Sequence, residues 1–229
     1  MNPASDFAAL LVTLKLASLT TPVLLLLGIP LAWWLARSPS PYVVVVEAVV
    51  TLPLFLPSTV LGFYLLLIFS ADGFAGALWQ LAGGGELLYS FSALYLATLL
   101  YSLPFVVYPL QQSFKQIDNH LLLVASTLGA TFFYSFTHIV LPLARKGIIL
   151  ALVLAFTHTL GGFGLLLMIG GNIPGETQLL SMAIFDHVAQ QRYGNAHLLA
   201  LFLLFFTLML LIPLYAFNRG LLQRWWVWR

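Results

Sequence analysis

The segment Ala196-His-Leu-Leu-Ala-Leu-Phe-Leu-Leu-Phe-Phe-Thr-Leu-Met-Leu-Leu-Ile-Pro-Leu-Tyr-Ala-Phe-Asn218 contains no Asp, Glu, Lys or Arg, and it decides the fold class. As a helix rising 1.5 Å per residue it reaches across a bilayer core of about 30 Å. Working outward, four more apolar segments precede it, near residues 8–36, 43–69, 88–113 and 143–169. The first would be about 43 Å long as a helix, so it tilts, bends or protrudes, with Pro22 and Pro30 as bend points.

Composition agrees. The chain is 61% apolar and only 7% charged, with a mean hydropathy of +1.00, too little charge to cover a soluble surface. Helices satisfy their own backbone groups in hydrocarbon, and the short alternating strands of a membrane barrel are absent. The expected fold is an all-α polytopic membrane protein with about five transmembrane helices, forming a single domain over 1–229. There are no cysteines, which excludes disulfides and thiolate metal sites. The net charge of +2 gives no footprint for nucleic acid. Asp6 stands where a cleaved signal would carry a cation, so the start reads as that of a first span.

Charge also sets an expected orientation. With the N-terminus outside and the C-terminus inside, Arg37, Lys115, Arg145, Lys146, Arg219, Arg224 and Arg229 face the cytoplasm. Arg192 lies in an outer loop, and Lys15 snorkels outward from the first span. The bias is the one that positive-inside topology requires. It places residues 114–142 in the cytoplasm as the longest inner loop. The Trp-rich end, Arg224-Trp-Trp-Val-Trp-Arg229, suits a segment anchored at the headgroup level.

That loop has readable local structure. Asp118 is placed to cap a helix that runs to about Leu128 and stops at Gly129, in the left-handed conformation of a C-terminal cap. Thr131 then caps a second short helix through Phe132, Phe133, Tyr134 and Phe136. Leu128 and the aromatics would project as an apolar knob, a form that suits either a partner's groove or the inner leaflet.

Gly129, nine residues, then Ile139-Val-Leu-Pro142 resembles the cytoplasmic coupling loop of ABC-importer permeases, in which Glu-Ala-Ala, three residues, Gly, nine residues, Ile-x-Leu-Pro docks on an ATPase subunit. The resemblance implies that Ala125, Leu128, Gly129, Ala130, Thr131, Phe133, Ile139, Leu141 and Pro142 contact the ATPase. Leu123-Val-Ala125 replaces Glu-Ala-Ala, so the family's acidic contact is missing.

The resemblance covers essentially the whole chain and points to molybdate-type permeases. Leu52-Pro-Leu-Phe-Leu-Pro-Ser-Thr-Val-Leu-Gly-Phe-Tyr-Leu-Leu66 is similar to that family's Leu-Pro-Leu-x-Leu-Pro-Pro-x-Val-x-Gly, with Ser58 for the second proline. Leu160-Gly-Gly-Phe-Gly164 resembles its Leu-Gly-Glu-Phe-Gly, with Gly162 in place of the acid, and Asn172-Ile-Pro-Gly-Glu-Thr177 resembles a hexapeptide of some members. The first two segments are shared in part with sulfate and tungstate permeases, which remain the alternative substrates.

A dianion needs a polar lumen with few fixed negative charges. Residues 48–71 hold no acidic, basic or histidine side chain, and 147–175 hold only His158. Candidate path residues are Ser58, Thr59, Gly62, Thr157, His158, Thr159, Gly161 and Gly162. Each also has a plain packing explanation, since Ser and Thr bond their own helix and Gly admits a neighbouring helix. Packing is the preferred reading for each, His158 included. Glu47 is placed near the inner interface or Arg37, and His120, His138, His187 and His197 have no metal-ligand spacing. The segment 173–190, with Ile173, Leu179, Leu180, Ala183 and Ile184 along one face, would form a short re-entrant or outer surface helix.

No phosphate-loop sequence occurs, so the chain is not expected to be an enzyme, and no cofactor or metal is expected. The expected partners are two ATPase subunits, a second copy of this chain, an extracytoplasmic oxyanion-binding protein and the lipid of a bacterial inner membrane. An intramembrane hydrolase lacks its Gly-x-Ser-x-Gly or His-Glu-x-x-His motif here. An ion-coupled secondary transporter would show internal repeats and buried coupling charges. A purely structural membrane subunit would have no use for the loop pattern.

Overall fold

The structure is a computed structural model describing residues 3–218. Arg219, Arg224, Arg229 and the Trp-rich end lie outside the described residues. Within them the chain folds as helices and connecting turns, without a strand. Four apolar helical stretches are long enough to cross a bilayer: Ala4–Arg37, Ser58–Leu81, Phe91–Lys115 and Tyr193–Asn218. A fifth arises if Phe132–Leu143 and Arg145–Leu160 are taken as one span bent by 70°. The chain is a multi-pass all-α membrane protein.

Helix α1 (Pro3–Arg37) continues through both Pro22 and Pro30. Its buried hydroxyls turn back on their own helix: Thr13 donates to the Ala9 carbonyl, Thr20 to Leu16 and Thr21 to Ala17, at 2.7–2.8 Å. None is left unpaired in hydrocarbon.

The segment expected as one span over 43–69 is two helices. Helix α2 (Tyr42–Phe55) ends at Leu56, whose φ of −80° and ψ of 140° are extended, and α3 (Ser58–Phe69) starts directly after Pro57. A proline disfavours the helical conformation in the residue before it and offers no amide. Pro53 lies inside α2 and is accommodated there. Helix α4 (Phe74–Leu81) then occupies the Gly-rich stretch between the expected apolar segments 43–69 and 88–113, and with α3 makes the 24-residue spanning stretch.

Helix α5 (Phe91–Lys115) begins at a Ser90 cap, whose hydroxyl accepts from the Ala93 amide at 3.2 Å. The loop after it holds α6 (Asn119–Thr127), α7 (Phe132–Ser135), a π-helical turn (Phe136–Val140) and α8 (Leu141–Leu143). The segment expected over 143–169 is again two helices, α9 (Arg145–Leu160) and α10 (Gly164–Gly170), separated by a break at 161–163. Helices α11 (Leu180–Ala189) and α12 (Tyr193–Asn218) follow.

Helices α1, α5 and α9 pack against one another as the centre, with α10 against α3 and α12 against α11 and α9. One buried cluster joins Leu16, Leu94, Leu165 and Ile169 at the end of the bundle that carries Asp6; another joins Leu24, Val106, Leu110 and Phe114 toward the Arg37 end. Helix α12 buries only Ala196 and Leu214, and leaves Phe205, Met209 and Ile212 exposed. In a membrane that face meets lipid or another chain rather than water. Two charge placements are notable. Lys15 sits over the Phe91 ring, 4.5 Å from its centroid. Glu47 does not meet Arg37; it accepts from Gln111 at 3.1 Å and lies 3.9 Å from Lys115.

The α5–α9 crossing relies on Gly147. A β-carbon there would run into the Ser113 side chain and stand 3.3 Å from the Pro109 carbonyl oxygen. Gly147→Val should destabilise the fold by about 1–3 kcal/mol, as overpacking does, read as a lower unfolding midpoint of the chain in detergent.

Candidate functional site

The loop between α5 and α9 is built by local rules. The Asp118 carboxylate accepts from the His120 amide at 2.9 Å and starts α6. Leu128 closes that helix, and Gly129 follows at φ +86°. The Gly129 amide donates to Ser126 and the Ala130 amide to Ala125, both at 3.0 Å, which satisfies carbonyls a helix end would leave open. The Thr131 hydroxyl accepts from the Tyr134 amide at 3.3 Å and starts α7. Both caps and the glycine turn stand where the sequence placed them.

The π-helical turn was not foreseen. Pro142 has no amide, and its ring would press on the carbonyl four residues back. Widening the preceding turn relieves that pressure; the Leu141 amide accordingly bonds Phe136, five residues earlier. The path then bends by 70° at Ala144 into α9.

One side of this hairpin faces the bundle. Phe136 packs edge-on against Trp33 of α1, with centroids 5.4 Å apart, and lies 6.4 Å from Phe114. It therefore turns inward and is not part of a projecting knob. A cavity of about 230 Å³ beneath the hairpin is lined by Trp33, Leu122, Phe132 and Val140, among others. The other side is bare: Leu128 is 82% exposed, Phe133 74% and Phe132 69%. A wider groove of about 530 Å³ runs between Ala125, Leu128, Gly129, Ala130, Thr131, Tyr134 and Ile139. Six of the nine expected docking residues thus share one depression. Phe133 is exposed, and Leu141 and Pro142 lie at the joint with α9. Between Asn119 and Ala144 there is no Asp, Glu, Lys or Arg.

The expected path residues gather at the two helix breaks, which lie side by side. A β-carbon on Gly164 would stand 2.8 Å from the Ser58 hydroxyl, and one on Gly62 would stand 3.3 Å from the Leu165 backbone. Gly62 is therefore the point of close approach of α3 to α10. Thr157 donates to Val153 at 2.7 Å, and buried Thr159 to Ala155 at 2.9 Å. The His158 ring stacks on Phe105 with centroids 3.8 Å apart, lies 4.6 Å from Tyr101, and its Nδ1 is 3.0 Å from the Ser102 hydroxyl. Gly162 is buried, and its carbonyl accepts from Ser181 at 2.5 Å. Ser58 is half-buried, while Thr59 and Gly161 are exposed.

At the far end of the bundle, Asn172–Thr177 forms a braced loop. The Glu176 amide donates to Ile173 at 3.2 Å across a turn with Pro174 then Gly175 at φ +81°, the order a type II turn requires. The Thr177 hydroxyl donates to Gly170 at 2.5 Å, and one Asp186 oxygen accepts from Asn172 and Gln178 at 2.8 and 2.9 Å. The Leu180 amide donates to Thr13 at 2.8 Å, and His187 pairs with Asp6 at 3.0 Å, docking α11 on α1. Leu179, Leu180 and Ala183 are buried, whereas Ile173 is exposed. The helix expected over 173–190 starts only at Leu180, because Pro174 and Gly175 make a turn; the bracing role of Asp186 was not legible, since its partners lie 8 and 14 residues away.

The chain matches the family described as binding-protein-dependent transport system inner membrane component over residues 28–227, and it belongs to that family. It is thus a membrane component of a transport system. Among curated relatives it is 50% identical to the molybdenum transport system permease protein ModB of Azotobacter vinelandii, covering 93% of this chain and 95% of that one. It is 36% identical to the ModB protein of Escherichia coli strain K12 over 79% of both chains. The sulfate transport system permease protein CysT of that strain is 33% identical over 82% of this chain and 67% of its own length. Among solved structures, a bacterial ABC transporter involved in the import of the acidic polysaccharide alginate superposes with a TM-score of 0.74 at 20% identity, covering 93% of this chain and 78% of that one. That likeness concerns the fold alone.

Gly129 is the local test of the hairpin. A β-carbon there meets nothing within 4 Å, so the cost of replacing it comes from its positive φ. Gly129→Ala should cost about 1–2 kcal/mol, seen as faster hydrogen exchange of the Ala130 amide.

Proposed function

We propose that this chain is the transmembrane permease subunit of an ATP-driven importer for a tetrahedral oxyanion, molybdate. The likeness to a molybdenum permease over nearly the full length of both chains carries the substrate reading. The sulfate relative is the specific reason to keep sulfate as the competing substrate, and tungstate has the same shape and charge as molybdate. The energy comes from a partner, because the chain has no phosphate-loop sequence.

In this reading the chain lies N-out and C-in, and the α6–α7 hairpin seats in a groove on a cytoplasmic ATPase. Ala125, Leu128, Gly129, Ala130, Thr131, Phe133, Ile139, Leu141 and Pro142 form or shape that contact. Burying Leu128 and Phe133 contributes about 1.5–3 kcal/mol each. With no charged side chain between Asn119 and Ala144, the contact is apolar, and its partner's groove needs no basic residue to match it. Two copies of the permease enclose the passage, two ATPase subunits drive it, and an extracytoplasmic binding protein delivers the anion. Among the solved relatives in fold, the alginate transporter is described in complex with a substrate-bound periplasmic protein. The braced Asn172–Thr177 loop, with Ile173 exposed, offers a preformed surface for such a protein.

The passage runs past the paired breaks. Ser58, Thr59 and the backbone at Gly161 present polar groups with no carboxylate nearby in sequence, which suits a dianion. Gly62, Gly162, Thr157, Thr159 and His158 hold the wall, their polar groups directed to their own helices or neighbours as described above.

Affinity purification from the native membrane in mild detergent tests the class: a phosphate-loop ATPase should co-purify in equal amount. Because the contact is uncharged, it should survive about 0.5 M salt, where exposed charge pairs are screened. The chain emerging alone would instead support a hairpin lying on the inner leaflet. Gly129→Asp, which sets a charge into the groove, should abolish co-purification. His158→Ala should leave assembly and molybdate uptake in place; an assembled complex that no longer takes up molybdate would make His158 a path residue.

A further inference from the structure

Helix α5 ends where the coupling hairpin begins, and a helix end leaves carbonyls without intrahelical donors. Arg37, the last residue of α1, adds donors here, beside the Ile117 amide that already reaches the Phe114 carbonyl at 3.2 Å. Its Nη2 donates to the Phe114 carbonyl at 2.8 Å and to the Ile117 carbonyl at 2.6 Å, and its Nη1 donates to the Asn119 side chain at the start of α6. One turn back on the same face, Trp33 lies under the guanidinium, 5.1 Å from ring to charge. Trp33 also packs edge-on against Phe114 at the end of α5 and against Phe136 in the π-helical turn, both at 5.4 Å. Two residues one turn apart on α1 therefore hold the hairpin at its exit from α5 and at its return toward α9.

The geometry asks for arginine specifically. Three acceptors, before, within and after the 116–118 connection, are reached by one planar fork, whereas a lysine ammonium is a flexible point charge. The charge also suits a helix C-terminus, where the dipole favours a cation. Lys115 lies next to the same joint but is turned toward Glu47.

We propose that Arg37, seated on Trp33, is the positioning residue that makes the hairpin move as one body with α1 and α5. A push from the ATPase on α6 then tilts the spans instead of flexing the chain at 116–118. Arg37 touches neither ATPase nor anion; it acts through α6. The proposal rests on the docking reading given above.

The absence of native cysteines allows a direct test. Spin labels on the exposed sites Gln112→Cys of α5 and Thr127→Cys of α6 report the angle across the joint in the full-length chain alone. The expected result is one narrow distance distribution, broadened severalfold by Arg37→Gln and to an intermediate width by Arg37→Lys. In the complex reconstituted with its ATPase, Arg37→Gln should assemble and hydrolyse ATP but move severalfold less molybdate per ATP than the parent, with partial recovery in Arg37→Lys. An unchanged width, or an unchanged number of anions per ATP, in Arg37→Gln overturns the proposal. If that variant does not fold, Arg37→Lys and Asn119→Ala report the same two quantities, and unchanged values in both overturn it equally. Failure of the parent chain to bind an ATPase would sink the docking reading, while the distance measurement, made without a partner, still decides what Arg37 does.

Discussion

Inside a bilayer every backbone amide and carbonyl must find a partner within the protein, and the rest of this structure depends on how that demand is met where helices stop. Unbroken helices meet it almost alone; in α1 only the carbonyls four residues before Pro22 and Pro30 lose their helical donor. The breaks at Leu56–Pro57 and at 161–163 do not. They lie against each other, with Gly62 and Gly164 letting α3, Ser58 and α10 approach closely, and Ser181 reaching the Gly162 carbonyl. Irregular backbone at membrane depth is tolerated where it is packed in protein or lines a polar cavity. The two breaks are where this chain packs irregular backbone against itself.

The same demand operates in the loop on a smaller scale. Asp118, Gly129 and Thr131 close the ends of α6 and α7 from within the segment, so the hairpin carries its own shape and leaves Leu128 and Phe133 for another surface. The missing acid at Leu123 is consistent with this economy. A contact with no charge to align tolerates rotation about the groove more readily than one anchored by an ion pair, and it depends on shape and apolar area alone.

What was legible in the sequence follows the reach of the interactions. The caps and the glycine turn each involve residues within a few positions, and residue type reveals them. The five apolar stretches were legible as hydrophobicity, but the breaks within two of them were not. A proline such as Pro57 can bend a helix, yet α10 is packed opposite this break, and nothing local reports that. Helix α4 was hidden by its glycines: Gly76 is required because a side chain there would strike the Ser70 carbonyl, which is a tertiary reason for a residue that reads locally as loop. Arg37 was visible only as an inner-side charge. Its acceptors lie 77 to 82 residues away, so its role belongs to the fold. Of the two settings expected for Glu47, the inner interface or Arg37, its Gln111 and Lys115 contacts leave out Arg37.

The 70° bend at Ala144 makes α9 a lever with a short arm in the hairpin and a long arm in the membrane. Helix α9 has 16 residues, so the long arm measures about 24 Å. A tilt of about 10° at the bend carries its far end through about 4 Å, more than the roughly 2.8 Å diameter of a water molecule. That far end is the break at 161–163, next to Ser58. In the proposed reading, a small displacement at the hairpin is thereby amplified at the break that borders the passage.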